Sequence, residues 1–323
     1  MLQEEFKYIN FSNKKGGYLM FREKETLVDE ARKSKKLPNV IWGIVLALIF
    51  MYGGSLIGGI GVAPIFWGLG KISYFRLNPE LLYLLITLIS FAFISLLVFF
   101  RVTKIEKRKL SSIGFHKNNA FKKYALGFII GLLMMGIVVL ILFLLGCVTV
   151  EKQSSQPVGI SAILPVLIVL IGWIIQGGTE EVVTRGWLMN VLGARYNIAL
   201  GLIISSTLFG LLHLGNPNVN YIAIINIILV GLFYGLYVMK TNDLWAVCGM
   251  HSAWNFAQGN LFGFEVSGLN VEVGSLFDFN LVGKDFISGG SFGPEAGLGA
   301  TIVLLAGIAI IYALDKKGKF NKI

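Results

Sequence analysis

The chain has 323 residues, a mean hydropathy of +0.73, 55% hydrophobic residues and only 14% charged residues. A soluble domain of this length could not bury so much apolar surface, so the composition excludes that class and indicates an integral membrane protein with several crossings. The net charge of +10 would suit a nucleic-acid-binding protein, but the basic residues occupy separate clusters between apolar segments, which excludes that class too.

Eight apolar segments, each long enough to cross a bilayer as a helix, follow a polar, basic arm over residues 1–39. The arm has no features of a cleavable signal peptide. We therefore predict an all-α, polytopic transmembrane helical bundle of about eight helices over residues 40–323, with its core in helices four to seven. The predicted helices cover residues 40–60, 81–100, 124–148, 161–192, 198–214, 221–239, 244–262 and 298–314.

The segment 260–299 differs from the rest because it is rich in Gly, Ser and Phe and carries little charge. Its last part has the composition of turns, so we expect an outer loop that either caps the bundle or shapes a vestibule. The two cysteines, Cys147 and Cys248, lie in or beside apolar segments on different helices, where buried reduced thiols are expected.

The basic residues report topology. If eight helices alternate in direction, the main basic clusters all fall on one side of the membrane, which predicts cytoplasmic N- and C-termini and contact with anionic lipid headgroups. The Lys-rich chain without an organellar presequence is typical of a bacterial plasma membrane. The residues concerned are Lys7, Lys14, Lys15, Arg22, Lys24, Arg32, Lys33, Lys35, Lys36, Arg101, Lys104, Lys107, Arg108, Lys109, Lys117, Lys122, Lys123, Arg195, Lys240, Lys316, Lys317, Lys319 and Lys322.

Three charged residues stand in predicted helix four, where charge costs about 2.5–3.5 kcal/mol per residue at a helix centre and persists mainly for function or pairing. Glu181 and Arg185 are spaced i,i+4 and can neutralise one another. Glu180 projects about 100° away and has no partner nearby in sequence. The pair is therefore interpreted as a support and Glu180 as the reactive carboxylate.

Two of the three histidines lie in apolar helices, and each has a partner one helical turn away. Phe209 precedes His213 by four residues and can pack against its ring, whereas Asn255 follows His251 by four residues on the same face. The third, His116, belongs to a basic loop and is interpreted as a solvated residue. An asparagine in a membrane helix is often helix–helix glue, as we expect for Asn226, but Asn255 shares a face with an imidazole.

Two schemes of amide hydrolysis are consistent with these residues. In the first, Glu180 and an imidazole hold a water whose proton the carboxylate takes, while the other imidazole and Asn255 donate hydrogen bonds to the oxyanion. In the second, Glu180, His213 and His251 bind Zn²⁺ with water as the fourth ligand. Residue types alone do not separate the metal-free scheme from the zinc scheme.

The three motifs, in this order on successive predicted helices, resemble the CPBP family of intramembrane proteases, which comprises type II CAAX prenyl endopeptidases and bacteriocin-processing and immunity proteins. The resemblance covers about residues 113–259. It implies that Glu180 is the general base, that His213, His251 and Asn255 complete the catalytic site, and that Glu181, Arg185 and Phe209 support it. It leaves the metal open.

The depth of these residues presents a geometric problem. Counted at 1.5 Å per residue from predicted helix ends, Glu180 and His251 fall near the cytoplasmic side and His213 near the opposite side. We therefore expect a kink at Gly177–Gly178 or a bent segment over residues 186–196, and otherwise an error in the boundaries.

The sequence thus predicts an intramembrane endopeptidase that cuts a peptide or membrane-associated protein near the cytoplasmic half of the bilayer. A leader peptide, a signalling peptide or a membrane-inserted peptide is the expected substrate in a bacterium. One alternative is a non-catalytic bacteriocin-immunity or peptide-binding membrane protein. The other is a carrier with Glu180 as proton relay, against which the absence of an internal repeat argues.

Overall fold

The computed structural model describes residues 26–318. Residues 1–25, which form most of the predicted basic arm, and residues 319–323 lie outside the described residues. Seven basic residues used above for the topology prediction therefore lie outside the described part of the chain. They are Lys7, Lys14, Lys15, Arg22, Lys24, Lys319 and Lys322.

The fold is an all-α helical bundle with one two-stranded sheet, as predicted. Three of the described helices are short, with four to six residues each. Several long helices contain a π-helical turn, as at Ile49–Gly53, Arg101–Ile105 and Val182–Leu188. The elements are α1 Leu27–Arg32, α2 Val40–Leu69, α3 Ser73–Arg76, α4 Pro79–Ile105, α5 Ala120–Leu144, β1 Val148–Val150, α6 Gly159–Arg195, α7 Ile198–Gly215, α8 Tyr221–Thr241, α9 245–261, β2 Phe279–Leu281, α10 Asp285–Ser288 and α11 Leu298–Lys316.

The connections between the long helices gather at two ends of the bundle. At one end, called the basic end, Arg101 donates to the carbonyl of Lys36 at 3.0 Å, Arg195 donates to that of Leu37 at 3.0 Å, and Lys240 pairs with Asp315 at 2.7 Å. At the other end, called the loop end, β1 pairs antiparallel with β2, and Asn216 donates to the carbonyl of Ser267 at 2.9 Å. The eight long helices therefore alternate in direction.

Seven of these eight helices are long and apolar enough to span a membrane; they are α2, α4, α5, α6, α7, α8 and α11. The eighth, α9, has twelve α-helical residues followed by five π-helical residues. It can be short because it does not begin at the surface of the basic end: the Leu244 amide donates to the carbonyl of Gly114, and Leu244 also borders Gly186, nine residues before the end of α6. The segment after α4 thus covers the start of α9.

Glycines allow α9 to pack closely between α5 and α6. A methyl group at Gly127 or Gly131 of α5 would overlap the backbone of Ala246 or Met250, and one at Gly249 of α9 would overlap that of Tyr124. Gly177 of α6 faces the backbone of Ser252 in the same way. Small residues at such contacts give van der Waals packing that lipid cannot match, so they fix the depth of α9 against its neighbours.

The basic end is closed by buried polar contacts. Glu106 accepts hydrogen bonds from Arg108 at 2.6 and 3.0 Å and from the indole of Trp187 at 2.9 Å, and all three side chains are buried. Helix α1 packs against the last turns of α6. Its capping box, in which Thr26 and Asp29 bond each other's backbone amides, starts the helix, and the bond from the Thr26 hydroxyl holds the pKa of Asp29 below its ordinary value of 3.8.

Candidate active site

Helices α6 and α7 form a hairpin with arms of equal length. Glu180 lies fifteen residues before Arg195, and His213 lies fifteen residues after Ile198, which is about 22 Å along each helix from the turn that joins them. The two residues therefore stand at the same level. Neither the predicted kink at Gly177–Gly178 nor the predicted bent segment over residues 186–196 is needed to bring the two residues to one level. The α-helical geometry continues through Gly177–Gly178, and residues 186–195 continue the helix.

The predicted difference in depth between Glu180 and His213 arose because the depth of Glu180 was counted from the start of its helix. Helix α6 has 37 residues and is about 54 Å long, well beyond the roughly 30 Å of bilayer hydrocarbon, so distance from its start does not measure distance from the basic side. His213 ends the α-helical part of α7 at the loop end. The site therefore lies toward the loop end, and the expectation of a position near the basic side is corrected.

Glu181 is the centre of a fully buried charged cluster. Its Oε1 accepts hydrogen bonds from Arg185 Nη1 at 2.9 Å, as the spacing predicted, and from His251 Nδ1 at 2.8 Å. The Arg185 guanidinium lies 4.3 Å from the centre of the Phe209 ring and 5.8 Å from that of Tyr234. Since the carboxylate can only accept, Nδ1 of His251 carries the proton and a neutral ring presents a lone pair at Nε2.

Glu180 is buried but differs from its neighbour in having no ion-pair partner of opposite fixed charge among the described residues. Its Oε2 has no hydrogen-bond partner there and lies 3.5 Å from Nε2 of His251. A buried polar atom without a partner costs about 1–3 kcal/mol, so it needs an explanation in water, ligand or function. The free carboxylate faces the free nitrogen of the imidazole that Glu181 orients.

His213 is oriented by its own helix and by Phe209. Its Nδ1 lies 2.8 Å from the carbonyl oxygen of Phe209, and the two rings meet edge to face with centres 5.0 Å apart. A carbonyl only accepts, so Nδ1 carries the proton and Nε2 is left free. Phe209 also meets His251 edge to face at 5.9 Å, so one aromatic ring contacts both imidazoles.

Gln176 was missed by the sequence analysis. Its Oε1 accepts a hydrogen bond from Nδ2 of Asn255 at 2.9 Å, and both side chains are buried beside Glu180. The sequence feature that could have indicated Gln176 is its position four residues before Glu180, about one α-helical turn away, as a polar residue within an otherwise apolar run. The partner was not visible because Asn255 lies 79 residues away.

These residues border one cavity of about 240 Å³. Glu180 and Gln176 contribute from α6, His213 from α7 and Asn255 from α9, whereas His251 does not line the cavity and contacts Glu180 at 3.5 Å. Its outer part is formed by residues 266–271 of the predicted outer loop. That loop is held by Glu295, which accepts from the Ser267 amide at 2.7 Å and from the Trp254 indole at 3.3 Å. The segment 260–299 therefore roofs the candidate site.

The zinc scheme was tested against the donor geometry. Within residues 26–318, no three His, Cys, Asp or Glu side chains come together in a way that could hold a metal ion. Glu180 and His251 are close, but His213 does not join them in a group of three possible ligands among the described residues. The three predicted zinc ligands, Glu180, His213 and His251, thus do not form a ligand set in the described part of the chain.

One protein-family model matches the part of the chain that contains the candidate site. The model of the family described as type II CAAX prenyl endopeptidase Rce1-like matches residues 162–257, a span that begins before Gln176 and ends after Asn255. This confirms the resemblance predicted from the three motifs and supports, at the level of the family, a CAAX-type intramembrane protease. Comparisons with curated proteins and with solved structures give no significant match.

Proposed function

We propose that this chain is an intramembrane endopeptidase in which Glu180 activates a water for attack on a peptide bond. The observation that carries the proposal is the contrast between two adjacent carboxylates. Glu181 is neutralised by Arg185 and orients His251, whereas Glu180 is buried, unpartnered at Oε2 and on the wall of a cavity. A carboxylate kept in that condition is suited to general-base catalysis.

The nucleophile is a water held by two acceptors. Glu180 Oε2 and the lone pair of His251 Nε2 are 3.5 Å apart, so one water beside them can donate a hydrogen bond to each. Glu180 takes one proton as the water oxygen bonds to the carbonyl carbon. The same proton then passes to the amine nitrogen as the carbon–nitrogen bond breaks, and the second water proton stays on the new hydroxyl group, which yields a carboxylic acid and an amine.

The developing oxyanion requires hydrogen-bond donors close to the attacked carbonyl group. Asn255 uses one N–H bond to hold Gln176 and retains a second, and the amide nitrogen of Gln176 adds two more at the same edge of the cavity. His213, with Nδ1 committed to the Phe209 carbonyl, offers Nε2 for proton exchange with the substrate. Phe209 and Arg185 act by holding the two imidazoles and Glu181 in place.

The expected partners are a peptide or a membrane-associated protein as substrate and membrane lipids as surroundings, with no role for nucleic acid. The position of the site among membrane-spanning helices supports this assignment. Orientation with cytoplasmic termini in a bacterial plasma membrane follows from the charge distribution and remains part of the proposal.

The test compares membranes that carry the wild-type chain, Glu180→Gln and Glu80→Gln by mass spectrometry of newly formed peptide termini. Glu180→Gln preserves shape but removes the base, and we expect the rate of cleavage to fall about 10²–10⁴-fold. Glu80→Gln is the matched control, since Glu80 is exposed in the first turn of α4 at the loop end and does not line the cavity. It should retain the wild-type termini.

Equal profiles for wild type and Glu180→Gln, with both proteins folded, would contradict the proposal and favour the non-catalytic immunity or peptide-binding alternative. Wild-type cleavage by both Glu180→Gln and His213→Ala would likewise remove these residues from the mechanism.

A further inference from the structure

We propose that substrate reaches this site from the loop end, which is the extracytoplasmic side of the membrane. The substrate class is then a peptide segment exposed at, or inserted into, the outer leaflet. This inference rests on the proposed function for what happens in the cavity, but access itself is a property of the fold. Three independent observations lead to it.

The first observation is the position of the cavity. Its lining comes from the middle of α2, from the loop-end half of α4, from the central turns of α6, from the last turn of α7 and the residue that follows it, from Asn255 of α9 and from residues 266–271. No lining residue belongs to the segments of the described chain that gather at the basic end. Tyr52 on α2 and Leu269 in the roof are 66% and 47% exposed, so the cavity opens between α2 and the roof.

The second observation is that the path toward the basic end is filled. Every residue from Thr179 to Gly193 is buried, because the π-helical and α-helical turns there pack against α2, α7 and the segment after α4. Within this stretch lie the Glu181–Arg185 pair and the indole of Trp187, which bonds the buried Glu106. A peptide from the basic side would have to displace a charged network without exposed edges.

The third observation is the charge at each end. Among the described residues, the loop end carries four basic side chains beside seven acidic ones, and the basic ones are Lys71, Arg76, Lys152 and Lys284. All other described Lys and Arg residues, apart from the buried Arg185, lie at the basic end. By the positive-inside rule the basic end is cytoplasmic, so the loop end and the mouth of the cavity face outward.

The chemistry of the mouth restricts the substrate further. The roof contributes Val266, Leu269 and Val271 to the cavity lining, and α4 contributes Leu84 and Leu88. These side chains favour an apolar segment on the side of the scissile bond that enters the membrane. Outside the roof, Glu265 and Glu272 border an acidic groove, which favours a substrate whose exposed flank is neutral or basic.

The experiment is thiol labelling of intact cells with a membrane-impermeant maleimide, applied to single variants of the full chain. Leu269→Cys places a thiol in the mouth, Lys152→Cys places one at the loop end outside the cavity, and Lys35→Cys places one at the basic end, where Lys35 is exposed. The parent chain supplies the background, because both of its cysteines, Cys147 and Cys248, are buried.

We expect labelling of Leu269→Cys and Lys152→Cys in intact cells, labelling of Lys35→Cys only after permeabilisation, and loss of cleavage once a bulky maleimide occupies position 269. Labelling of Lys35→Cys alone in intact cells would overturn the proposal by reversing the orientation. Labelling of Lys152→Cys without Leu269→Cys would overturn it by showing a closed mouth. Since labelling needs no turnover, these outcomes are distinct from a failure of the proposed protease activity.

Discussion

The buried cluster of Glu181, Arg185 and His251 allows a prediction in which stability and activity separate. Glu181 and Arg185 have side chains with no exposed surface and an N–O distance of 2.9 Å. Removing one member of a buried pair leaves an uncompensated charge and costs about 3–5 kcal/mol, whereas replacing both with neutral groups is close to neutral. We therefore expect Glu181→Gln and Arg185→Met each to lower the free energy of unfolding by about 3–5 kcal/mol.

The double variant should recover most of this loss. It still gives up the contact of the guanidinium with the Phe209 ring, which is worth about 2 kcal/mol when desolvated, so we expect a net cost of about 1–2 kcal/mol. Cleavage should be low in both variants that carry Glu181→Gln. The reason is that an amide at position 181 can accept from His251 Nδ1 but no longer supplies the negative charge that fixes the proton of that ring.

The assay is reversible unfolding in mixed micelles with a denaturing detergent, combined with a cleavage assay on the same preparations. The control cycle uses the exposed pair Lys240–Asp315, whose members are 33% and 40% exposed, and it should show a coupling below about 1 kcal/mol. If the double variant at positions 181 and 185 lost the sum of the single losses, the pair would not be coupled. If it kept wild-type cleavage, the proposed role of Glu181 would be refuted.

Three further predictions concern the hydrogen-bonded pair Gln176 and Asn255, the roof of the cavity and helix α1. Gln176→Leu should lower kcat about 10²–10³-fold with little change in KM, because it removes donors to the oxyanion, whereas Thr87→Val in the same cavity should not; equal kinetics for both would remove Gln176 from the mechanism. Glu295→Ala should lower the free energy of unfolding, measured in mixed micelles, by about 1–3 kcal/mol, because it leaves the buried Trp254 indole without its acceptor. An unchanged value would contradict the role of Glu295 in holding the outer loop. Because the pKa of Asp29 is lowered in the folded chain, its contribution to α1 should be present above pH 3.8 and lost as the pH falls below that value, and Asp29→Asn should abolish this dependence in hydrogen exchange.

The sequence by itself determined the features that depend on local spacing. Apolar runs predicted the eight helices, and an i,i+4 spacing predicted both the Glu181–Arg185 ion pair and the contact of Phe209 with His213. A single geometric rule was sufficient there, because residues four apart on a helix are neighbours whatever surrounds them. The three motifs likewise carried the resemblance that the family comparison confirmed.

Only the tertiary structure decided which side chains meet across helices. The contacts of His251 with Glu181 and of Asn255 with Gln176 span 70 and 79 residues, and they depend on how deep each helix lies. That depth is set by the equal arms of the α6–α7 hairpin and by glycine contacts such as Gly131 against Met250. Composition records that a segment can cross a membrane but not where along the bilayer normal its residues stop, because every level of the hydrocarbon accepts the same apolar side chains.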